Sequence, residues 1–339
     1  MNPALEARDV TKRYGRTHAL DGVTVSVAPG EVFGLIGPNG AGKTTLVRAL
    51  TGTAPVTGEV SLLGAEPDTV ARTRVGLLPQ SFDPPKRLSA LELLAYYRGL
   101  YDEGRDPEDV LSDVGLQEDA TVRYENLSGG QQRRVCVGTA LVNDPDILFL
   151  DEPTTGIDPA GRRAVWELIE GLAAEGTTVF LTSHAMDEVD RLADRAGLLR
   201  DGRLIEVGSP AELVATHGGQ PRLLVKLRDS VARDPLGTTL ERSADIDGGV
   251  STVDDGVMIH AVRPRDIGDI AGVLETAKVD YEALSWREPS LEDVYLELTG
   301  ESYAPFGGTR RDREPAQSGS ETDMPVDTTE IEADGGRRE

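Results

Sequence analysis

Up to about residue 218, short unbroken apolar runs alternate with segments that have helical spacing. Glu31-Val32-Phe33-Gly34-Leu35-Ile36 reads as a strand running into a glycine-rich stretch, and a helix starts at Thr44 and runs to Leu50. Asp146-Ile147-Leu148-Phe149-Leu150 and Thr178-Val179-Phe180-Leu181-Thr182 are continuous apolar runs. That pattern belongs to central parallel strands buried on both faces. Strands alternating with helices predict an α/β fold, with a mostly parallel sheet and a ligand site at its carboxyl edge. Between about 84 and 130 the pattern changes. Residues 88–100 and 107–114 read as helices with no strand between them, which is a helical insertion. After Gly218-Gly219 the pattern changes again. Residues 223–227, 257–262 and 281–286 look like strands, and 266–276 and 291–298 like helices. The expected organisation is an α/β domain over 1–218, a small α+β domain over 219–300 and a disordered tail over 301–339. The tail is rich in Gly, Ser, Thr, Asp, Glu and Arg, too polar to bury a core.

Composition narrows the setting. No stretch approaches the 18 uninterrupted apolar residues of a membrane span. The start, Met1-Asn2-Pro3-Ala4-Leu5-Glu6, has no basic segment followed by an apolar one, so no secretion signal is expected. Cys136 is the single cysteine, which forbids an intramolecular disulfide and fits a cytosolic protein. The chain carries 59 acids against 35 bases, a net charge of −24, and only five of the bases are lysines. Such a surface repels nucleic acid and anionic lipid, so no nucleic-acid partner is expected. It also fits a halophilic source, because at ~1 M salt the self-repulsion is screened within ~3 Å.

Three short stretches carry chemistry. Gly37, Pro38, Asn39, Gly40, Ala41, Gly42, Lys43 and Thr44 fit the pattern G-x-x-x-x-G-K-[ST] between a strand and a helix. Glycines let backbone N–H groups curl round a phosphate, and the following helix adds the positive end of its dipole. Lys43 would reach the β- and γ-phosphates of ATP, and the Thr44 hydroxyl would ligate Mg²⁺. Asp151 and Glu152 end the buried run 147–150, at the strand edge that faces such a site. Asp151 would hold Mg²⁺ through water, and Glu152 would orient and polarise the attacking water. Leu127-Ser128-Gly129-Gly130-Gln131 precedes a helix-like run over 131–141, with Ser128 as its N-cap. The two glycines leave backbone amides bare, which makes a second anion half-site that the glycine loop does not need. One loop with two half-sites suggests a head-to-tail pair of chains sharing two ATP molecules.

In this order the motifs resemble those of the nucleotide-binding subunit of an ABC transporter, over residues 1 to about 218. The implied fold is a P-loop ABC-type nucleotide-binding domain with its helical insertion. By that resemblance residues Gly37 to Thr45 are the phosphate loop, Thr45 included, and Tyr14 stacks on adenine. Gln80, after Leu77-Leu78-Pro79, senses the γ-phosphate, ligates Mg²⁺ and contacts the membrane partner. Ser128, Gly129, Gly130 and Gln131 form the signature motif. Asp158, in Gly156-Ile157-Asp158, lies in the loop linking the two sites, and His184 is the switch histidine. At the end of the strand after the acidic pair, His184 is also placed to hydrogen-bond the γ-phosphate and orient Glu152.

Trp286-Arg287-Glu288-Pro289-Ser290-Leu291-Glu292-Asp293-Val294-Tyr295-Leu296 resembles the closing motif of the drug-resistance and sodium-efflux branch. The implied function is ATP hydrolysis in an exporter, with a separate integral membrane permease and a second ATP-binding subunit in a homodimer. The implied location is the cytoplasm, peripheral on the inner face of the membrane through the permease. A soluble non-transport ABC ATPase and an importer ATPase are the alternatives. Two structural expectations follow. Phe82, Leu88 and Leu91 line a groove for the permease, and the closing helix packs on the small domain's sheet.

Overall fold

The computed structural model describes residues 2–228, 249–253 and 256–300. The tail expected over 301–339 lies outside the described residues. The chain opens with a hairpin, β1 (Leu5–Tyr14) and β2 (Thr17–Val27). Next come β3 (Val32–Ile36), α1 (Lys43–Leu50), β4 (Thr57–Leu62) and β5 (Val75–Leu78). Three helices follow with no strand among them: α2 (Ala90–Arg98), α3 (Pro107–Asp113) and α4 (Gly129–Thr139). The chain then alternates β6 (Ile147–Asp151), α5 (Pro159–Ala174), β7 (Thr178–Ser183), α6 (Met186–Leu192), β8 (Arg195–Arg200), β9 (Arg203–Gly208) and α7 (Pro210–His217).

The apolar runs become neighbours. The main sheet has the order β5-β6-β7-β3-β8-β9, parallel except for the last pair. Every residue of β3, β6 and β7 is buried, as their unbroken apolar pattern requires. Successive side chains serve opposite faces. Phe33, Phe149 and Phe180 pack with α1, β1 and β2 on one side, with ring centroids 5.5 and 5.6 Å apart. Ile36, Leu148 and Leu150 meet the α2–α6 layer on the other. A second, antiparallel sheet, β2-β1-β4, covers the α1 side. The apolar runs gave no sign of that sheet, because its strands are half exposed.

Beyond α7 a four-stranded antiparallel sheet has the order β11-β12-β10-β13, built from β10 (Arg222–Leu227), β11 (Val250–Val253), β12 (Gly256–His260) and β13 (Tyr281–Arg287). Its inner face closes on α8 (Ile267–Thr276) through Leu223, Val225, Val257, Ile259, Ile270 and Leu274. Strand β11 escaped the sequence reading, because four residues are too few to show an alternation.

Phe82, Leu88 and Leu91 pack partly against the α/β core, with Phe82 5.5 Å from the Tyr97 ring, and each remains partly exposed. One packing expectation is corrected. The closing helix, α9 (Leu291–Thr299), starts where Asp293 accepts the Ser290 N–H at 2.9 Å and ends at Gly300, at φ 67°. It does not pack its apolar stripe on the small sheet. Leu291, Val294 and Tyr295 are 1%, 0% and 2% exposed, in one cluster with Met186, Val189, Leu192 and Leu213 of α6 and α7. Arg200 Nη1 donates to the Thr299 carbonyl at 2.8 Å, and Arg222 of β10 pairs with Asp293. The physical reason is available area. The small sheet's inner face is already filled by α8, whereas α6 and α7 present an uncovered apolar seam.

The last helix is therefore part of the α/β core. Tyr295→Ala is expected to destabilise that core by on the order of 3 kcal/mol. The measurement is denaturant unfolding followed by Trp166 of α5 in a Trp286→Phe background. An unchanged midpoint would show that α9 contributes nothing to the core.

Candidate active site

The glycine loop leaves the carboxyl end of β3. A Cβ on Gly37 would lie 2.3 Å from the Leu199 carbonyl oxygen, and one on Gly42 2.4 Å from that of Ala19. Gly42 also sits at φ 111°, in the region that side chains avoid. The loop can thread between β8 and β2 only with glycine at these two positions. Gly40, by contrast, has open space around it. No side chain caps the N-terminus of α1, so the loop delivers backbone amides and the dipole's positive end to one place. Lys43 is 5% exposed. Its Nζ donates to the Gly37 carbonyl at 2.7 Å and the Pro38 carbonyl at 3.3 Å, and lies 3.4 Å from Glu152 Oε1. Burial pulls the ammonium below its usual value, and the Glu152 carboxylate opposes that pull.

Glu152 is where the separately read residues meet. Gln80 Nε2 donates to its Oε2 at 3.1 Å, Thr155 Oγ1 donates to the same oxygen at 3.1 Å, and His184 Nδ1 lies 3.2 Å from it. Burial alone would push this carboxyl up. The charges of Lys43 and His184, with hydrogen bonds from Thr155 and Lys43, outweigh burial and hold it below the usual range. It is ionised at neutral pH. Its backbone has φ 51°, a left-handed conformation unusual for a non-glycine. The neighbouring Asp151 is 1% exposed and accepts from Thr182 Oγ1 at 2.5 Å. Thr182 also takes the Glu152 N–H, through its carbonyl and its Oγ1, both at 3.1 Å.

Ser128–Gln131 have other neighbours. Ser128 Oγ accepts the Gln131 N–H at 3.3 Å, and the Ser128 N–H donates to Gln131 Oε1 at 2.9 Å, a complete capping box. Gln131 Nε2 donates to Asp119 Oδ2 at 2.6 Å. The two glycines differ. A Cβ on Gly130 would stand 2.7 Å from the Gly161 Cα and 3.5 Å from Asp158 Oδ1, so Gly130 is needed for α4 to meet α5. Gly129 is exposed, and its Cβ would find nothing nearer than Ile157 Cγ2 at 4.0 Å. Nothing near it among the described residues excludes a side chain at Gly129. Asp158 is the N-cap residue of α5 and sits at this second place. Tyr14 ends β1 half exposed, with Lys12 Nζ 5.2 Å from its ring centroid.

The structure thus places Lys43, Gln80 and His184 round the Glu152 carboxylate, with Asp151 next to it in the chain. Ser128, Gly129, Gly130, Gln131 and Asp158 form a second cluster at the α4–α5 junction. Sequence reasoning missed Thr155 and Thr182, which hold Glu152 and Asp151, and Arg133, whose guanidinium reaches three backbone carbonyls. Only the fold brings these hydroxyls and this guanidinium into reach.

The first cluster fits a nucleoside triphosphate. A buried ammonium, a loop that excludes side chains and uncapped helix amides match a polyphosphate. The Thr44 hydroxyl, the Asp151 carboxylate and the Gln80 amide are oxygen donors of the kind Mg²⁺ takes when phosphates complete its shell. Among the described residues no group of three or more His, Cys, Asp or Glu side chains could hold a metal by itself. No helix among the described residues is long and apolar enough to cross a membrane.

Comparison with known proteins follows the same outline. The ABC transporter family model matches residues 20–155. The Nod factor export ATP-binding protein I of Paraburkholderia xenovorans (strain LB400) is 40% identical over 310 residues, covering 88% of this chain and 97% of that protein. The daunorubicin resistance ATP-binding protein DrrA3 of Streptomyces coeruleorubidus is 35% identical, covering 88% of this chain and 96% of its own length. Among solved structures, the ADP conformation of an ATP-binding cassette of an ABC transporter aligns with a TM-score of 0.57. It is 26% identical and covers 64% of this chain and 95% of its own. A dimeric, post-hydrolysis cassette bound to ADP and Pi aligns with a TM-score of 0.54 at 25% identity, covering 60% of this chain and 98% of its own.

Proposed function

Because the chain belongs to the ATP-binding proteins of ABC transporters, and is an ATPase, we propose that it powers an exporter through a separate membrane permease. One observation carries the export reading. The similarity to proteins named for Nod factor export and daunorubicin resistance spans 88% of the chain, whereas the aligned cassette covers 64%. The likeness to exporter ATPases therefore includes the C-terminal sheet and α9, which a cassette alone lacks.

In this reading Gly37 to Thr45 and Lys43 hold the phosphates of ATP, Tyr14 stacks on the base, and Thr44, Asp151 and Gln80 hold Mg²⁺. The ion supplies charge neutralisation of the phosphates. Glu152, ionised and fixed by Gln80, Thr155 and His184, orients the attacking water and takes its proton. Two chains pair head to tail, so that Ser128, Gly129, Gly130 and Gln131 of one meet the γ-phosphate held by the other. The exposure of Ser128 and Gly129 supports this, and among the described residues the nearest atom to a Cβ on Gly129 is Ile157 Cγ2 at 4.0 Å. Gln80 and the α2–α3 insertion face the permease, with Tyr96 (52% exposed) and Leu100 (64%) as its uncovered apolar residues. The net charge of −24 is that of a protein working in high salt.

A tagged chain purified from native membranes is expected to bring down a multi-span permease in KCl above about 1 M, where exposed charges are screened within ~3 Å. At about 0.01 M, where screening extends over ~30 Å, the complex should dissociate and ATPase activity fall. Capture of a permease with a solute-binding protein would overturn the export reading. Activity highest near 0.1 M KCl would overturn the halophilic one.

A further inference from the structure

We propose that Arg133 is a positioning residue for ATP hydrolysis: from the helix that begins at the signature motif, it holds the peptide on which Glu152 is mounted. Arg133 lies in the second turn of α4, just after the Ser128–Gln131 cap. Among the described residues its guanidinium forms no ion pair and is taken up by backbone carbonyls. Nε donates to the Pro153 carbonyl at 2.6 Å, and Nη2 to the Glu152 carbonyl at 2.9 Å and the Asp151 carbonyl at 3.3 Å. Three consecutive carbonyls are gathered by one planar fork. A lysine ammonium, with tetrahedral donors at the end of a flexible stem, cannot reproduce that pattern.

The peptide so held is the one that needs holding. Glu152 stands at φ 51°, and a non-glycine residue there persists only when its surroundings over-determine it. Its N–H side is fixed by Thr182, and its carbonyl side by Arg133. Between these two anchors the side chain meets Lys43, Gln80, Thr155 and His184. If the carbonyl anchor is lost, the backbone can relax and the carboxylate swings. A misplacement of about 1 Å in such a group is worth roughly a hundredfold in rate. Ser128 and Arg133 also share one rigid helix, so whatever moves the signature motif moves the peptide of the catalytic carboxylate.

This inference rests on the reading of Glu152 as the water-orienting base, and the test separates the two. The full chain carrying R133Q, R133K or E152Q is assayed with Mg²⁺ and ATP in single-turnover experiments with enzyme in excess. The rate constant then counts only molecules that have bound ATP, so a misfolded fraction does not lower it. R133Q is expected to lower that rate constant at least about tenfold, while ATP affinity stays within about twofold and ATP-driven dimerisation persists. R133K, which keeps the charge and one or two of the hydrogen bonds, is expected to fall between R133Q and the parent. It decides the matter if R133Q does not fold. An unchanged rate constant in R133Q and R133K, or a rate that falls only together with ATP binding, would overturn the role of Arg133. Hydrolysis by E152Q at the parent rate would instead overturn the reading of Glu152, whatever Arg133 does.

Discussion

Glu152→Gln is expected to lower ATP turnover by on the order of a thousandfold while leaving ATP binding intact. The change is nearly isosteric and leaves the glycine loop untouched. It removes the negative charge and turns one of two acceptor oxygens into a donor. The surroundings cannot accommodate that. Gln80, Thr155 and Lys43 all point donors at this group, with His184 3.2 Å away. Either carboxamide orientation sets an NH₂ against at least one of those donors, and neither can take a proton from water. ATP binding survives because Lys43 is released from its ion pair and is free for phosphate. The nucleotide-free variant should be less stable than the parent, since a 5%-exposed ammonium loses its countercharge. ATP should restore more stability to the variant than it adds to the parent. Gel filtration with ATP and Mg²⁺ should show the variant accumulating as a dimer. Turnover at the parent rate would exclude Glu152 as the base.

This convergence of side chains on one carboxylate was only partly legible in the sequence. Lys43 could be picked out from the pattern G-x-x-x-x-G-K, and Asp151 and Glu152 because they end a buried apolar run; His184 follows such a run as well, but its role came from family resemblance. Such a strand fixes where its last residue emerges, and a parallel sheet puts those ends on one edge. Gln80 ends no comparable run, and only family resemblance pointed to it. The supporting side chains were illegible for a different reason. Arg133, Thr155 and Thr182 act through contacts with backbone groups, and nothing in a one-dimensional pattern marks which carbonyl a guanidinium will reach. The same division runs through the fold. Strands β3, β6 and β7 are buried on both faces and read directly. The half-exposed β1, β2 and β4 and the four-residue β11 did not. The helix α9 was found in the right place, but its partner was not. An amphipathic stripe shows that a face is buried without saying against what.

Mixing a Lys43→Ala chain with a Ser128→Arg chain, each inactive alone, is expected to restore ATP hydrolysis. Lys43→Ala removes the ammonium beneath the phosphates. Ser128→Arg removes the N-cap of α4 and sets a long cation on an exposed turn. The cap loss alone costs about 1 kcal/mol, too little to unfold the chain, so inactivity has to come from the turn itself. In a head-to-tail pair each site takes Lys43 from one chain and Ser128 from the other. A pair of identical variants then has two damaged sites. A mixed pair gathers both lesions into one site and leaves the other whole. Random reassortment of equal amounts makes half the pairs mixed, so about one quarter of the parent's sites return, and with them about that share of its rate. If Ser128 served the site of its own chain, a mixed pair would hold two damaged sites and no activity would return. The two arrangements thus differ in whether mixing restores hydrolysis at all, and the exposed, open position of Gly129 beside Ser128 favours the shared site.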